Sequence, residues 1–402
     1  ESYTAAIKAI PKSGFPHFYL GSLYAVQGKD NLAISEYETA LVKDASLEQT
    51  LLPLAELYLK QGLIDRAAEK VQTVIVNHPD VPQAFLLQAK ILRAKGDYAS
   101  SIQVLERVVS LMPGNDEAYY QRGLSLFSNG EVQKALDDFS KAWKLAPERV
   151  DIPASIAIAY AKKGDFDHAV STAKDLQKKY PESSIIYVLA GDIYSMSKKW
   201  PEAEKNFQEA IHKNPSNLTA YSRLSTLYMT MGDLEKALEI NESALKKDAD
   251  FEDAILGMAL LHERKGKNNL AIKQYEKLLS VRPGNFSAMN NLAWLYAEKG
   301  EKLIEAKQLA ERAAQSFPNE PGYIDTLGWI QYKLGEYAGA EETLRKALTL
   351  RSQESVIHYH LAMVYLKLGD REKGKIHLEE ALKSGKEFTG IQEARKTLSQ
   401  MK

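Results

Sequence analysis

Apolar side chains recur along this chain at intervals of three and four residues, as in Leu20, Leu23 and Tyr24 and again in Ala33, Tyr37, Ala40 and Leu41. That spacing puts them on one stripe of a helix, whereas a half-buried strand would alternate apolar and polar residues. The stripes come in pairs, and the pairs repeat. Gly28, Gly62, Gly96, Gly130 and Gly164 follow one another at 34 residues. Lys198 holds the next place, and the series resumes with Gly232, Gly266, Gly300, Gly335 and Gly369, with one step of 35 between Gly300 and Gly335. This period overrides the two or three globular domains that 402 residues would otherwise suggest.

Other marks keep the same register. Seven residues before each turn position stands a small residue: Gly21, Ala55, Ala89, Gly123, Ala157, Gly191, Ser225, Ala259, Ala293, Gly328 and Ala362. Five residues after it stands another, from Ala33 and Ala67 through Ala271, then Ala306, Ala340 and Gly374. Small residues on facing helices allow the backbones to approach closely. Twelve residues further on there is usually a proline (Pro79, Pro113, Pro147, Pro181, Pro215, Pro283, Pro318), which cannot continue a helix. Each of the eleven units therefore reads as a helix, a turn with glycine at a left-handed cap, and an antiparallel second helix. The fold class is all-α. One pair cannot bury its own apolar face, so neighbours must stack into a solenoid.

The pattern resembles the tetratricopeptide repeat, whose signature includes the period, the small pair, the closing proline and a tyrosine at the eleventh place, here Tyr24, Tyr58, Tyr160, Tyr194, Tyr228, Tyr296 and Tyr365. The resemblance implies a right-handed superhelical solenoid of antiparallel helix pairs. We expect eleven units in one continuous solenoid over residues 12–385. Counting back 34 residues from Tyr37, Ala40 and Ala45 lands on Tyr3, Ala6 and Pro11, so residues 1–11 read as the tail of a truncated repeat in a longer protein. Residues 386–402 read as a capping helix over Phe388 to Met401, with Phe388, Ile391, Ala394 and Leu398 on its apolar side. Lys198 predicts a variant turn. The insertion within Glu301 to Glu305 predicts one longer turn.

Composition narrows the function. With 52 basic and 53 acidic residues, the formal charge is −1, so no global basic face exists to displace counterions from nucleic acid. Absence of cysteine excludes disulfides, thiolate zinc sites and cysteine nucleophiles. No apolar run is long enough to predict a membrane span. No cofactor or metal is expected. His17 and His358 fall at a core place of the first helix, and His262 replaces a core tyrosine. His358 and His360 are two residues apart and point in different directions. No catalytic motif is present, so the protein reads as a non-enzyme. Asn217, Asn241 and Asn285 begin glycosylation sequons of a kind common by chance.

The concave groove is then the candidate site. The family resemblance assigns it to the second, fifth, sixth, ninth, twelfth and thirteenth places of each first helix. The first unit offers Phe15, Phe18, Tyr19 and Ser22 there, and units two to eight are mixed, as in Lys90, Arg93, Tyr120, Met229, Glu263 and Arg264. Units nine to eleven bring together Asn290, Asn291, Trp294, Asp325, Trp329, Tyr332, Tyr359 and His360. Trp and Tyr are enriched at binding hot spots, and asparagine can both donate to and accept from a peptide backbone. The tryptophans could instead pack between successive first helices. Asn290 and Asn291 lack the flanking lysines of chaperone-tail clamps.

The motifs at 290–296, 325–335 and 358–370 resemble long bacterial repeat proteins of envelope and exopolysaccharide-export systems. That likeness implies a periplasmic or outer-membrane-associated, often lipid-anchored scaffold rather than a cytoplasmic one. The expected function is a non-catalytic scaffold with a protein or peptide partner in the groove. Two alternatives are the recognition half of an enzyme whose catalytic domain lies outside this chain, and direct polysaccharide binding.

Overall fold

A computed structural model describes residues 2–401. Among them every regular element is a helix and none is a strand. The chain forms two compact units, one through Asn206 and one from Phe207 onward.

The first unit holds α1 (Ser2–Ala9), α2 (Phe15–Val26), α3 (Asp30–Lys43), α4 (Leu51–Lys60), α5 (Ile64–Asn77) and α6 (Pro82–Ala94). It continues through α7 (Tyr98–Leu111), α8 (Asp116–Ser128), α9 (Val132–Leu145), α10 (Asp151–Lys163), α11 (Phe166–Lys179) and α12 (Ser184–Met196). Next in the chain is α13 (Trp200–Lys213). The second unit holds α14 (Leu218–Met231), α15 (Leu234–Leu245), α16 (Glu252–Arg264), α17 (Asn268–Val281), α18 (Phe286–Lys299) and α19 (Leu303–Ser316). It ends with α20 (Pro321–Lys333), α21 (Tyr337–Leu350), α22 (Ser355–Leu368), α23 (Arg371–Lys383) and α24 (Ile391–Ser399).

Within each unit the main contacts join a helix to the next one, and a first helix to the next first helix, as α4 to α6 and α18 to α20. The small residues sit at the closest approaches. Ala55, Ala89, Ala157, Ala259 and Ala293 have no exposed surface, nor have Ala67, Ala135, Ala169, Ala271 and Ala306. At Gly123 a Cβ would stand 2.6 Å from the Phe139 ring. The eleventh-place tyrosines tie successive pairs together. The Tyr58 hydroxyl donates to Glu38 of the preceding second helix at 2.5 Å, with the Arg66 guanidinium 4.2 Å from its ring centre. The Tyr296 hydroxyl repeats this with Glu276 at 2.6 Å, and Lys302 Nζ donates back to it at 2.8 Å.

The turn glycines take φ between 66° and 86°. Two lysines share the left-handed region: Lys198 at 58° and Lys302 at 49°. Lys198 stands in for a glycine. Lys302 results from the inserted residue, which leaves Glu301 and Lys302 between Gly300 and α19 and makes this turn the longer one. A side chain in left-handed geometry costs about 1–2 kcal/mol. Lys198→Gly is therefore expected to stabilise the first unit by up to about 1 kcal/mol, the glycine's extra freedom when unfolded offsetting the rest. Urea denaturation checks this, and an unchanged midpoint would place no strain at this turn.

The capping helix is shorter than its sequence predicts. Gly390, at φ 93°, interrupts it, so α24 begins at Ile391. The position is also closely packed, since a Cβ on Gly390 would lie 2.3 Å from the Tyr359 ring.

Candidate functional site

The candidate residues lie on α18, α20 and α22, three first helices of the second unit. Asn285 caps α18, its side chain accepting from the Ala288 amide at 2.9 Å. Pro321 opens α20 at a first-turn position, where no amide hydrogen is needed. Gly369 closes α22 in the left-handed conformation.

The structure divides the eight residues into two groups. Asp325, Trp329, Tyr359 and His360 are buried, His360 without exposed surface. Asn290, Asn291, Trp294 and Tyr332 are half-buried. The Trp329 ring lies between Tyr332, stacked at 4.8 Å, and His360, stacked at 4.1 Å. Its indole Nε1 donates to Glu298 Oε1 at 2.8 Å, and Lys333 Nζ stands 4.8 Å from the ring centre. His360 Nδ1 donates to Asp325 Oδ1 at 2.8 Å, which fixes the tautomer because a carboxylate only accepts. Trp294 tilts against His360 at 5.7 Å.

The C-terminal segment covers part of this cluster. Phe388 packs 5.8 Å from Tyr359, whose hydroxyl donates to Glu393 at 2.8 Å. Burial, and then the Glu393 carboxylate, holds that phenol above the ordinary tyrosine value. Ala362, Leu378, Ala381 and Ala394 complete the buried set. Four of the residues assigned to a groove from the sequence thus sit inside the packing, because large aromatic groups at adjoining places fill the space between first helices.

What remains accessible is mainly on α18. The Asn291 amide donates to the Tyr275 hydroxyl at 3.0 Å, and that hydroxyl donates in turn to Glu263. Burial raises the pKa of both Glu263 and Tyr275. Asn290 Nδ2 donates to Asn291 Oδ1 at 3.3 Å, while Asn290 Oδ1 is buried without a partner. No group of three metal-ligating side chains occurs among the described residues, and no helix there is long and apolar enough to cross a membrane.

Histidines two residues apart on α22 face different surroundings. His358 Nε2 donates to the Ser352 carbonyl at 3.0 Å. Its Nδ1 stands within hydrogen-bonding distance of His377 Nδ1, 2.9 Å away. Burial, with His358 beside it, lowers the His377 pKa, and burial with Lys267 nearby lowers that of His262. Both resist protonation when folded, while the unfolded chain takes up protons near pH ~6.5. Their contribution is present above that pH and is lost as the pH falls toward the lowered folded values. Melting temperature should drop between pH 7.5 and 5.5, and drop less in His377→Gln. Equal drops would assign the acid sensitivity to other groups.

Sequence reasoning passed over Asn241, which it read only as part of a sequon. The signal was present in the register. The same place of the other units holds Tyr37, Val71, Leu105, Phe139, Ala173, Phe207, Tyr275, Ala310, Leu344 and Leu378, all apolar or aromatic. Asn241 is 2% exposed, which is also incompatible with glycosylation of the folded chain.

Comparison with known proteins agrees with this geometry. Family models described as tetratricopeptide repeat match residues 52–116, 86–149, 155–183, 196–261 and 356–384, and a model described as TT21 fifth ARM repeats domain matches 252–366. A TPR repeat-containing protein of Pseudomonas aeruginosa is 31% identical over 118 residues, 28% of this chain and 19% of its own length. One from Methanocaldococcus jannaschii is 27% identical over 154 residues, 37% of this chain and 26% of its own. The photosystem I assembly protein Ycf3 of a Synechococcus species is 29% identical over 113 residues, 25% of this chain and 65% of its own. The chain thus spans less than two thirds of each of these relatives. Among solved structures, the APC/C hetero-tetramer Cut9-Hcn1 aligns over 100% of this chain and 81% of its own, at 16% identity and a TM-score of 0.49. With tetratricopeptide models matching more than half of its residues and helix pairs in the same register, the chain belongs to the tetratricopeptide repeat family.

Proposed function

We propose that the protein is a non-catalytic interaction scaffold that holds a segment of a partner protein against its first-helix face, centred on Asn290, Asn291 and Trp294. The observation that carries this reading is that Asn290, Asn291 and Trp294 stay half-buried on one helix at groove places, while their aromatic neighbours Trp329 and Tyr359 are packed away. Trp294 packs against His360, which is stacked on Trp329, so its ring is held in place before a partner arrives. A surface ordered in advance loses little entropy on binding.

The aromatic cluster lends less support to a polysaccharide ligand. Trp329 and Tyr359, at 5% and 2% exposure, present no open ring face to a sugar. We further propose a bacterial envelope assembly as the setting, on the likeness of the three C-terminal motifs. Fractionation of the native full-length protein decides that point, and recovery from the cytoplasm alone would end it.

The scaffold reading is tested by co-purification from native cells with Asn290→Ala plus Trp294→Ala, controlled by unchanged helical circular dichroism. Loss of a specific protein partner is expected. Full recovery of every partner by a folded double variant would remove α18 from the interface.

A further inference from the structure

The last helix pair of the array, α22 with α23, faces one imidazole toward another. His358, at the fourth place of its unit, and His377 on α23 hold their Nδ1 atoms 2.9 Å apart. The first pair shows what the same two places do elsewhere, since His17 Nδ1 meets the Glu36 carboxylate there at 2.7 Å. Of the eleven units, only the last carries imidazole at both places.

The arrangement of the two rings is specific. Their centres are 5.2 Å apart, which equals the 2.9 Å gap plus the two ring radii. The Nδ1 atoms therefore point at each other along one line. Each ring is held from behind. His358 Nε2 donates to the Ser352 carbonyl at 3.0 Å, and His377 stacks on Tyr365 at 5.4 Å. His358 is 8% exposed, whereas His377 lines a cleft of about 680 Å³ along α21, so the pair is reached from that side.

A metal-binding histidine keeps its other ring N–H on a carbonyl or carboxylate, which orients the ring and aims the free nitrogen. His358 has that arrangement. Both Nδ1 atoms are bare when each neutral ring carries its proton on Nε2, and the cleft offers His377 water for that proton. The number and direction of the donors then select the ion. Two donors do not build the closed four-ligand site of structural zinc, whose ligands converge as a tetrahedron. Two collinear imidazoles match a closed-shell monovalent ion that accepts linear coordination. Copper(I) is such an ion, and imidazole suits copper. With metal–imidazole bonds of about 2 Å, a linear ion needs ~4 Å between the nitrogens, so the pair must open by about 1 Å. The half-buried His377 can swing toward its cleft to supply this.

We propose that His358 and His377 form a two-coordinate site for copper(I), which ties α22 to α23. The chain has no cysteine, so the thiolate that would compete most strongly for such an ion is absent.

The test titrates the intact chain with silver(I), a redox-inert ion of the same linear preference, and with copper(I) under anaerobic conditions against a chelator of known affinity. One equivalent of either ion is expected to bind. Melting temperature should rise by about 5 °C once free ion is a hundredfold above its dissociation constant. With isotope-labelled histidine, the Nδ1 resonances of His358 and His377 should both move, while those of His360 stay in place. His377→Gln keeps a side chain that can hydrogen-bond to His358, so it should fold. It should bind silver(I) at least about a hundredfold more weakly, since even an outer partner of a metal ligand can cost that much. Equal silver(I) binding by folded His377→Gln overturns the site, as do resonance shifts that spare either histidine of the pair. A parent chain that takes up neither ion overturns it too. Zinc(II) that displaces the bound silver(I) overturns the linear assignment.

Discussion

Trp329→Ala should destabilise the C-terminal repeats by about 3–5 kcal/mol, the usual range for removing a buried large aromatic side chain. The cost has three sources. The indole ring is 5% exposed and loses its stacking against His360 at 4.1 Å and Tyr332 at 4.8 Å. Its Nε1 no longer donates to Glu298. The void also loosens His360, on which Asp325 depends for its 2.8 Å hydrogen bond. Urea denaturation followed by circular dichroism measures the loss, and a change below about 1 kcal/mol would show that the cluster can collapse around the gap. The same result governs how binding experiments are interpreted. Reduced partner recovery in a Trp329 variant would report damaged packing, whereas the half-buried Trp294 can report a contact.

Ending the chain after Gly385 is expected to cost about 5 kcal/mol locally, from the apolar side chains of Phe388, Ile391 and Leu398 at roughly 1.5–3 kcal/mol for each when fully buried. Ile391 is 5% exposed and Ala394 has no exposed surface, so the segment is docked. Its removal uncovers Tyr359 and leaves that hydroxyl without Glu393. Binding of a fluorescent apolar dye should rise, and α22 and α23 should exchange amide hydrogens faster. Gly390→Val should act in the same direction through one side chain, because the position combines a φ of 93° with contact against the Tyr359 ring. Unchanged exchange in both variants would mean that the segment only rests on the array.

The repeat was readable because its marks are local. A turn glycine, a small residue at a close approach and a proline beyond a helix end each act within a few residues of themselves. The helix pairs from α2–α3 to α22–α23 follow that register. Exposure was not readable in the same way. Trp329 occupies a groove place, but its accessibility depends on the size of His360 in the next unit and on a segment some sixty residues later. A place in the register gives a direction, and the neighbours decide whether anything is open there. Asn241 was missed for the opposite reason. Its meaning appears only when one place is compared down all the units, where an amide among apolar residues stands out.

The near-neighbour contacts have a consequence for how such a chain can change length. Because a helix pair makes most of its contacts with the pairs beside it, excising one whole unit largely rejoins surfaces of the same kind, and repeats can be added or deleted at little cost. The C-terminal end is an exception to that freedom. Its docked segment needs Tyr359 from α22 and Glu393 from α24. A unit inserted between them would keep the solenoid and lose that contact.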